Sequence, residues 1–389
     1  MIRSAISYTR DLGTALVDPA ARRLLWAHAG GVTQKTVDRE AALTAAVGYL
    51  LRAQQQGTDA GLGSYHLTKG WGASYPETTG YAIPTLFVAG DRLGRSDLHE
   101  AAVKAADWLL TIQRVDGGWQ GGRIGEDRQS VVFNTAQVVR GLLAAHARTQ
   151  RSVYLDAAVR AGRWMAEVQD PDGAWRAANF MGVARVYDTY VDAPLLQLHA
   201  VTGDGLFRTA AVRNLEWVLR QQRSNGWFAN ADNTLRHNDR PITHTLAYTM
   251  DGLLECARIT GEERWAQAAL KAAEPLAERY LVHGALRGRY DATWKGSEHP
   301  ILTGCAQMAI VWSHAAELVS DQRYRTAAEG MLNWLISVQD LGRSGPDQAF
   351  GALPGSFPLW GRYEKFAFPN WGTKYFVDAL LCAGRDMAR

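Results

Sequence analysis

The sequence predicts an all-α protein, an (α/α)6 toroid of six helical hairpins with six outer and six inner helices. Three observations carry that prediction. The phrase Gln-x-x-x-Gly-x-Trp occurs at Gln113 to Trp119 and again at Gln169 to Trp175. Helix-period apolar segments ending in glutamine recur along the chain, and each is followed by a second segment that is apolar nearly all round. Self-similarity at such an interval marks stacked or closed repeat architectures, in which each unit buries its apolar face against its neighbours.

The first series reads AAVGYLLRAQ (45 to 54), AADWLLTIQ (105 to 113), AGRWMAEVQ (161 to 169), RNLEWVLRQ (213 to 221) and MLNWLISVQ (331 to 339). Tyr49, Trp108, Trp164, Trp217 and Trp334 stand four to five residues before the glutamines, so aromatic and amide share nearly one helical face. KAAEPLAERY (271 to 280) fits the long gap between Gln221 and Gln339 as a looser sixth copy. Amphipathic segments of this kind belong in an outer layer. Gly-rich turns follow at Gly117-Gly118-Trp119, Gly173-Ala174-Trp175 and Gly226-Trp227, where glycine supplies the positive φ that ends a helix sharply.

The second series runs over 77 to 90, 134 to 146, 188 to 201, 244 to 257, 303 to 318 and 372 to 384. Each unit reads as an outer helix followed by an inner one, with Thr and acidic or amide residues as N-caps of the inner helices. TGDGLF, TGEERW and SDQRYRTAA recur as the turns from inner to outer helix. The expected organisation is an N-terminal helical extension over 1–35 and one toroid domain over 36–389.

Inner-helix starts converge on one mouth of such a ring. The equivalent positions are Glu77-Thr78, Asn134-Thr135, Asp188-Thr189, His244-Thr245, Thr303-Gly304 and Trp371-Gly372. Polar residues that differ from copy to copy fit a functional site, although Asn134 and Asp188 also suit helix capping. Candidate catalytic residues are Glu77, Asp188, His244 and Tyr248, the last one turn after His244 on its face. Trp119, Trp175 and Trp227, with Trp371 at the last inner helix, offer platforms for sugar rings at the mouth, and the three turn tryptophans have the alternative of wedging between helices. Asn134, Gln307 and Asn370 offer hydrogen bonds to hydroxyls, and Arg185 beside Tyr187 offers a cation to a uronate carboxylate.

Composition narrows the classes. The 389 residues are 47% hydrophobic with 14 tryptophans, and the formal charge of +3 is scattered, which argues against a nucleic-acid partner. Cys256, Cys305 and Cys382 are far apart and lack a Cys-x-x-Cys, so neither zinc nor disulfides are expected. No apolar stretch approaches a membrane span or signal h-region, which predicts a cytoplasmic protein. No Walker loop, Gly-x-Ser-x-Gly elbow, His-Glu-x-x-His or Rossmann fingerprint occurs, so no cofactor or metal is expected.

The repeated Gln-x-x-x-Gly-x-Trp motifs resemble those of squalene-hopene cyclases and other terpenoid cyclases. The Asp-x-Asp-Asp and Asp-Asp-x-x-Asp motifs of those enzymes do not occur; the nearest match is Asn230-Ala231-Asp232-Asn233. Over nearly the whole chain, PETTGYAIPTL, DGGWQGG, VFNTAQV, QDPDGAW, NGWF, PITHTLAYT, LTGCAQMAIVW and PNWGTKYFVDAL resemble the bacterial exopolysaccharide-biosynthesis family that includes VpsJ-type proteins. That resemblance implies kinship with (α/α)6 polysaccharide lyases, unsaturated glucuronyl hydrolases and glucuronyl C5-epimerases. The implied partner is an oligosaccharide or polysaccharide, with a uronic-acid-containing glycan as the leading class and polysaccharide-assembly proteins as further partners.

Two chemistries follow from it. A lyase or epimerase would use Tyr248 or His244 as base with Arg185 and Asn134 neutralising charge, and a hydrolase would use Glu77 and Asp188. A non-catalytic glycan-binding or scaffold protein of the assembly machinery, and a terpenoid cyclase lacking the Asp-rich motifs, stand as alternatives. A glycan site should show polar walls and carboxylates below tryptophan platforms, a terpene site an enclosed aromatic cavity.

Overall fold

The computed structural model describes residues 2–33, 38–233 and 239–385 of the chain, so the expected boundary at 35/36 lies outside the described residues. Two helices come first, α1 (Ile2–Val17) and α2 (Pro19–Gly30). Twelve then alternate between layers. The outer helices are α3 (Arg39–Gln55), α5 (Ser96–Thr111), α7 (Ser152–Glu167), α9 (Gly205–Leu219), α11 (Glu263–His283) and α13 (Gln322–Leu341). The inner helices are α4 (Pro76–Leu93), α6 (Val132–Thr149), α8 (Thr189–Thr202), α10 (Thr243–Thr260), α12 (Leu302–Val319) and α14 (Asn370–Arg385). Each inner helix packs on the next and α14 returns to α4, closing an (α/α)6 toroid.

The hairpins are paired in the opposite sense to the one expected. Each inner helix packs chiefly on the outer helix that follows it, and α14 packs on α3. The reason is the turn. Gly94, Gln150, Gly203, Gly261 and Ser320 each take a left-handed conformation (φ 64, 59, 73, 74 and 51°) one residue past an inner helix, and the chain reverses at once. Short turns of this kind give antiparallel neighbours. The longer connections from outer to inner helix cross to the next pair, and the last pair is assembled from the two ends of the ring.

The repeated glutamine closes the wall. Gln113 Nε2 donates to Gly117 O in its own turn (2.9 Å) and to Ala157 O in the next outer helix (2.9 Å). Gln169 donates to Gly173 O and Ala210 O at 2.8 and 2.9 Å, and Gln339 to Gly351 O and Ala42 O at 2.8 and 3.1 Å. Gln54 reaches Ala60 O and Ala101 O, both at 2.9 Å. In the fourth copy the role falls to Gln222, bonded to Gly226 O at 3.2 Å and Ala268 O at 2.7 Å, and not to the expected Gln221. Gln221 lies one residue short of the face turned to α11 and bonds instead to its own helix, at Trp217 O. At the end of α11 the looser copy has no glutamine; Tyr280 packs there, its hydroxyl close against Gly330 of α13.

The turn glycine is fixed by the same contact. Gly117, Gly173, Gly226 and Gly351 have φ between 81 and 96°, and a Cβ on them would lie 2.9, 2.3, 2.1 and 2.1 Å from a carbonyl oxygen of the adjoining outer helix. Both the backbone conformation and the close approach exclude a side chain.

The expected threonine caps are not caps. None of Tyr75, Val131, Asp188, Ile242 and Ile301, the residues preceding inner helices, makes a side-chain cap bond. Thr79, Thr135 and Thr373 instead accept the backbone N–H of Leu62, Trp119 and Leu353, tying each inner helix to the turn before it.

Five two-residue strands lie in the connections: β1 (Tyr65–His66), β2 (Gly70–Trp71), β3 (Arg289–Tyr290), β4 (Gly296–Ser297) and β5 (Ala367–Phe368). β1 pairs antiparallel with β2 and β5, Tyr65 opposite both Trp71 and Phe368, which joins the first and last connections across the ring's seam. α1 and α2 lie against this seam, with the Tyr8 ring 5.6 Å from Phe366, His28 5.4 Å from Phe357, and Lys69 3.5 Å from Asp11. Among the described residues no helix is long and apolar enough to cross a membrane.

The two kinds of positive-φ glycine are separable by experiment. Gly203→Ala, with nothing within 4 Å of its Cβ, should cost roughly 1 kcal/mol, the left-handed backbone penalty alone. Gly226→Ala should cost roughly 3 kcal/mol or more, because the turn must also leave Lys271 O. Gln222→Leu should lose about 2 kcal/mol by stranding two carbonyls, against under about 1 for Gln221→Leu. Urea melts measure all four.

Candidate functional site

The inner helices begin at one end of the ring, where their first turns carry the expected residues. Glu77 is the second residue of α4, Asn134 the third of α6, His244 the second of α10, and Trp371 the second of α14. They form an almost continuous arc. Asn134 Nδ2 donates to the Tyr75 hydroxyl (3.3 Å), Tyr75 hydrogen-bonds to Glu77, and the Tyr75 ring stands edge-on to Trp371 at 6.2 Å. Trp371 Nε1 donates to the Tyr363 hydroxyl (3.0 Å), and the Tyr363 ring lies 5.9 Å from His244. His244 Nδ1 meets Gln307 Oε1 at 2.6 Å, and its ring lies 4.5 Å from Tyr248.

Below the arc, the sixth residues of five inner helices form a layer with Tyr190 of α8: Tyr81, Gln137, Tyr248, Gln307 and Tyr375. The four tyrosines meet across the axis. Tyr248 lies 4.7 Å from Tyr190 and 5.7 Å from Tyr375, and Tyr375 lies 5.5 Å from Tyr81. Phe133 completes the layer's edge, 5.2 Å from both Tyr187 and Tyr248. The mouth is therefore floored by aromatic rings.

The electrostatics divide its two principal titratable groups. Burial pushes the Glu77 carboxyl up to about 7 against the Tyr75 hydrogen bond, which favours the carboxylate. Burial lowers His244 to about 4, against the Gln307 bond. With Gln307 Oε1 as acceptor, Nδ1 carries the hydrogen and Nε2 keeps the lone pair. Burial raises the Tyr248 phenol well above its ordinary value, which favours the protonated form.

Several expected residues lie elsewhere. Trp119, Trp175 and Trp227 are at most 1% exposed, with indole N–H groups donated to Leu109 O, Met165 O and Tyr290 O. They are wedges in the wall and offer no face to a ligand, because the turn that carries each is folded back under its outer helix. Asn370 is taken up by Leu62 O and Gly63 O. Arg185 is 0% exposed, and Asp188, also 0% exposed, receives a 2.7 Å bond from Asn179 within the connection preceding α8; burial pushes its carboxyl up to about 8. Gln307 orients His244, and Tyr187 backs Phe133. Tyr75, Phe133, Tyr190, Tyr363 and Tyr375 were not anticipated; aligning the inner helices by their sixth residue, and not only by their starts, would have found Tyr81 and Tyr375.

Asp232, in the nearest approach to an Asp-rich motif, is wholly buried and ion-paired to Arg289 at 2.8 Å. Cys256 and Cys305 are buried free thiols, whereas Cys382 is half-buried. Among the described residues no group of three or more His, Cys, Asp or Glu is placed to hold a metal ion.

Comparison with known proteins gives two results of different reach. Residues 91–250 match the family model of the squalene-hopene cyclase C-terminal domain. The squalene–hopene cyclase of Zymomonas mobilis is 30% identical over 148 residues, 36% of this chain, and the chain spans only 20% of that relative's length. Solved structures match over almost the whole toroid. An unsaturated glucuronyl hydrolase specific for heparin superposes with a TM-score of 0.68 at 17% identity, covering 90% of this chain and 98% of the other. Cellobiose 2-epimerase from Bacillus thermoamylovorans gives 0.69 at 13% identity, covering 87% and 96%. At such identities the likeness establishes the (α/α)6 fold. The stretch matched to the cyclase contains the turn motifs at 113 to 119, 169 to 175 and 222 to 227, whose residues build the wall.

The raised Glu77 pKa sets a sign. Between pH 4.5 and 7 the folded chain keeps a proton that the unfolded chain releases, so this group's contribution to stability falls as pH rises. Glu77→Gln removes that loss. The variant's stability relative to the parent should therefore rise across this window, by about 3 kcal/mol at most above pH 7, in urea melts at a series of pH values.

Proposed function

We propose that the chain acts on a saccharide at this mouth by proton transfer, with His244 as base and Glu77 as acid. The observation that carries this reading is the opposite displacement of two buried groups around Tyr248: Glu77 up to about 7, His244 down to about 4. Environments that push two titratable groups apart assign an acid and a base. His244 Nε2 takes a proton from the carbon beside a sugar carbonyl or carboxyl. The Glu77 carboxylic acid and the Tyr75 phenol hydrogen-bond to the oxygen on which negative charge collects. Return of the proton gives epimerisation, and loss of the substituent at the next carbon gives elimination.

Two-carboxylate hydrolysis is less well supported. It needs one ionised carboxylate facing the substrate, and Asp188 is fully enclosed, pushed up to about 8 by burial and bonded to Asn179. The activities for which the structural neighbours are named, glucuronyl hydrolysis and cellobiose epimerisation, support a saccharide substrate. The resemblance to exopolysaccharide-biosynthesis proteins suggests a glycan of that pathway, a single toroid domain following the N-terminal helices, contacts with assembly proteins, and a cytoplasmic location. For a uronate, Arg123, half-buried and close enough to act on Tyr75 and Glu364, is better placed than the enclosed Arg185.

One observation favours a second reading, terpenoid cyclisation: the axis is lined by Phe133, Tyr81, Tyr190, Tyr248 and Tyr375, and aromatic faces suit carbocations. The acid would again be Glu77, so the two readings differ in substrate.

Incubation with oligosaccharides in deuterated water tests the assignment. NMR should show deuterium entering a sugar C–H position, at least 100-fold slower with Glu77→Gln or His244→Ala. Trp119→Phe should lower the melting temperature and leave the rate per folded molecule intact. Absence of exchange with every glycan, together with turnover of a polyprenyl substrate, would overturn the saccharide reading in favour of the cyclase.

A further inference from the structure

The tyrosine layer separates the mouth from a second set of polar side chains at the opposite end of the axis. Arg140 of α6 pairs with Glu255 of α10 at 2.8 Å and lies 4.5 Å over the Tyr190 ring. Gln197 of α8 donates to the same Glu255 at 2.8 Å. Lys374 of α14 pairs with Asp378 at 2.7 Å, which also accepts from Thr85 of α4 at 2.7 Å. Lys374 Nζ lies 4.0 Å from the centre of Tyr375, on the side away from the mouth arc. Asp251 of α10 and His314 of α12 complete the group, His314 lying close enough to act electrostatically on Asp251.

Two of these side chains are unsatisfied. Asp251 is 91% buried by its 9% exposure, yet makes no hydrogen bond or ion pair among the described residues. Arg140 is 89% buried by its 11% side-chain exposure, and its Nε and Nη2 atoms have no partner. Buried guanidinium N–H groups left without partners are costly, and the unbonded Asp251 carboxyl lies within electrostatic reach of them. Solvent has access from below. Val88, one turn beyond Thr85 on the same face of α4, is 48% exposed although Thr85 is buried, so the axis opens at the level of Val88.

We propose that this end of the axis is a second binding site, for a neutral saccharide or similar polyol, held by Asp251 and Arg140. The chemistry of the unpaired groups selects the class. Asp251 lacks a donor and Arg140 lacks acceptors, and a sugar hydroxyl is both, donating to the carboxyl while accepting from the guanidinium. An anion would satisfy Arg140 but stand among Asp251, Glu255 and Asp378, and a cation would satisfy Asp251 but face Arg140 and Lys374. The rings of Tyr190 and Tyr375 close the inner wall, and the apolar face of a sugar can rest on them. The tyrosine layer is common to both sites, but Asp251, Arg140 and Val88 take no part in the mouth, so failure here and failure of the mouth assignment are distinguishable.

Amide hydrogen exchange of the intact chain, with and without glucose or cellobiose at 100 mM, tests the proposal. The expected result is slower exchange over residues 136–146 and 248–258, kept in Glu77→Gln and lost in both Asp251→Ala and Val88→Trp. Val88→Trp blocks the opening without touching the charged network, so it decides the matter if Asp251→Ala fails to fold; titration should then give at least tenfold weaker binding. Absence of protection in these segments with either sugar overturns the proposal. So does protection that disappears in Glu77→Gln, since the sugar would then be at the mouth alone.

Discussion

The ring depends on one contact, repeated: a glutamine at the end of an outer helix bonded both to the turn that follows it and to a carbonyl of the next outer helix, with a glycine four residues on in three of the copies. A helix end leaves backbone groups unsatisfied, and here a side-chain amide carries two of its donor hydrogens to two carbonyls, one local and one from the neighbour. Because the second carbonyl belongs to another unit, satisfying the first helix fixes the position of the second. The glycine lets the turn come to within contact of that neighbour. Everything else in the wall follows that spacing. Trp119 and Trp175 fill the space behind the turn and satisfy carbonyls of their own outer helices, and the inner-helix threonines hold the other side.

Closure follows from the same contact. Gln339 of the last outer helix reaches Ala42 of the first, so the bond that links neighbours along the chain also links its ends. The seam is reinforced by strand pairing between Tyr65 and Phe368 and is covered by α1 and α2. A wall made rigid in this way leaves the axis free to hold groups that would be costly elsewhere. Glu77, His244, Asp251 and Arg140 are buried polar groups supported by a scaffold whose cohesion does not involve them.

The axis has two ends of different character because inner helices are polar at both ends and tyrosine-rich between. Toward the mouth, burial works against ionisation and leaves an acid and a neutral imidazole. Toward the far end, compensating pairs such as Arg140 with Glu255 and Lys374 with Asp378 keep charge inside. The same burial thus yields proton-transfer groups where partners are neutral and ion pairs where they are charged.

The sequence by itself determined the fold. Periodicity, recurring glutamines and Gly-rich turns specify six outer and six inner helices, since a helix-period apolar face has to be buried against a neighbour whatever else the chain does. It also singled out Glu77, Asn134, His244 and Trp371, because their places at inner-helix starts follow from the repeat. Direction was not legible: whether Trp119 faces the mouth or the wall, whether Gln221 or Gln222 reaches the next helix, and whether Arg185 is free or enclosed depend on rotations of less than one helical turn. Nor were the partners. Tyr75 with Glu77, Gln307 with His244, and the unpaired Asp251 are relations between segments far apart in the chain, and their burial, which sets their protonation, exists only once the ring has closed.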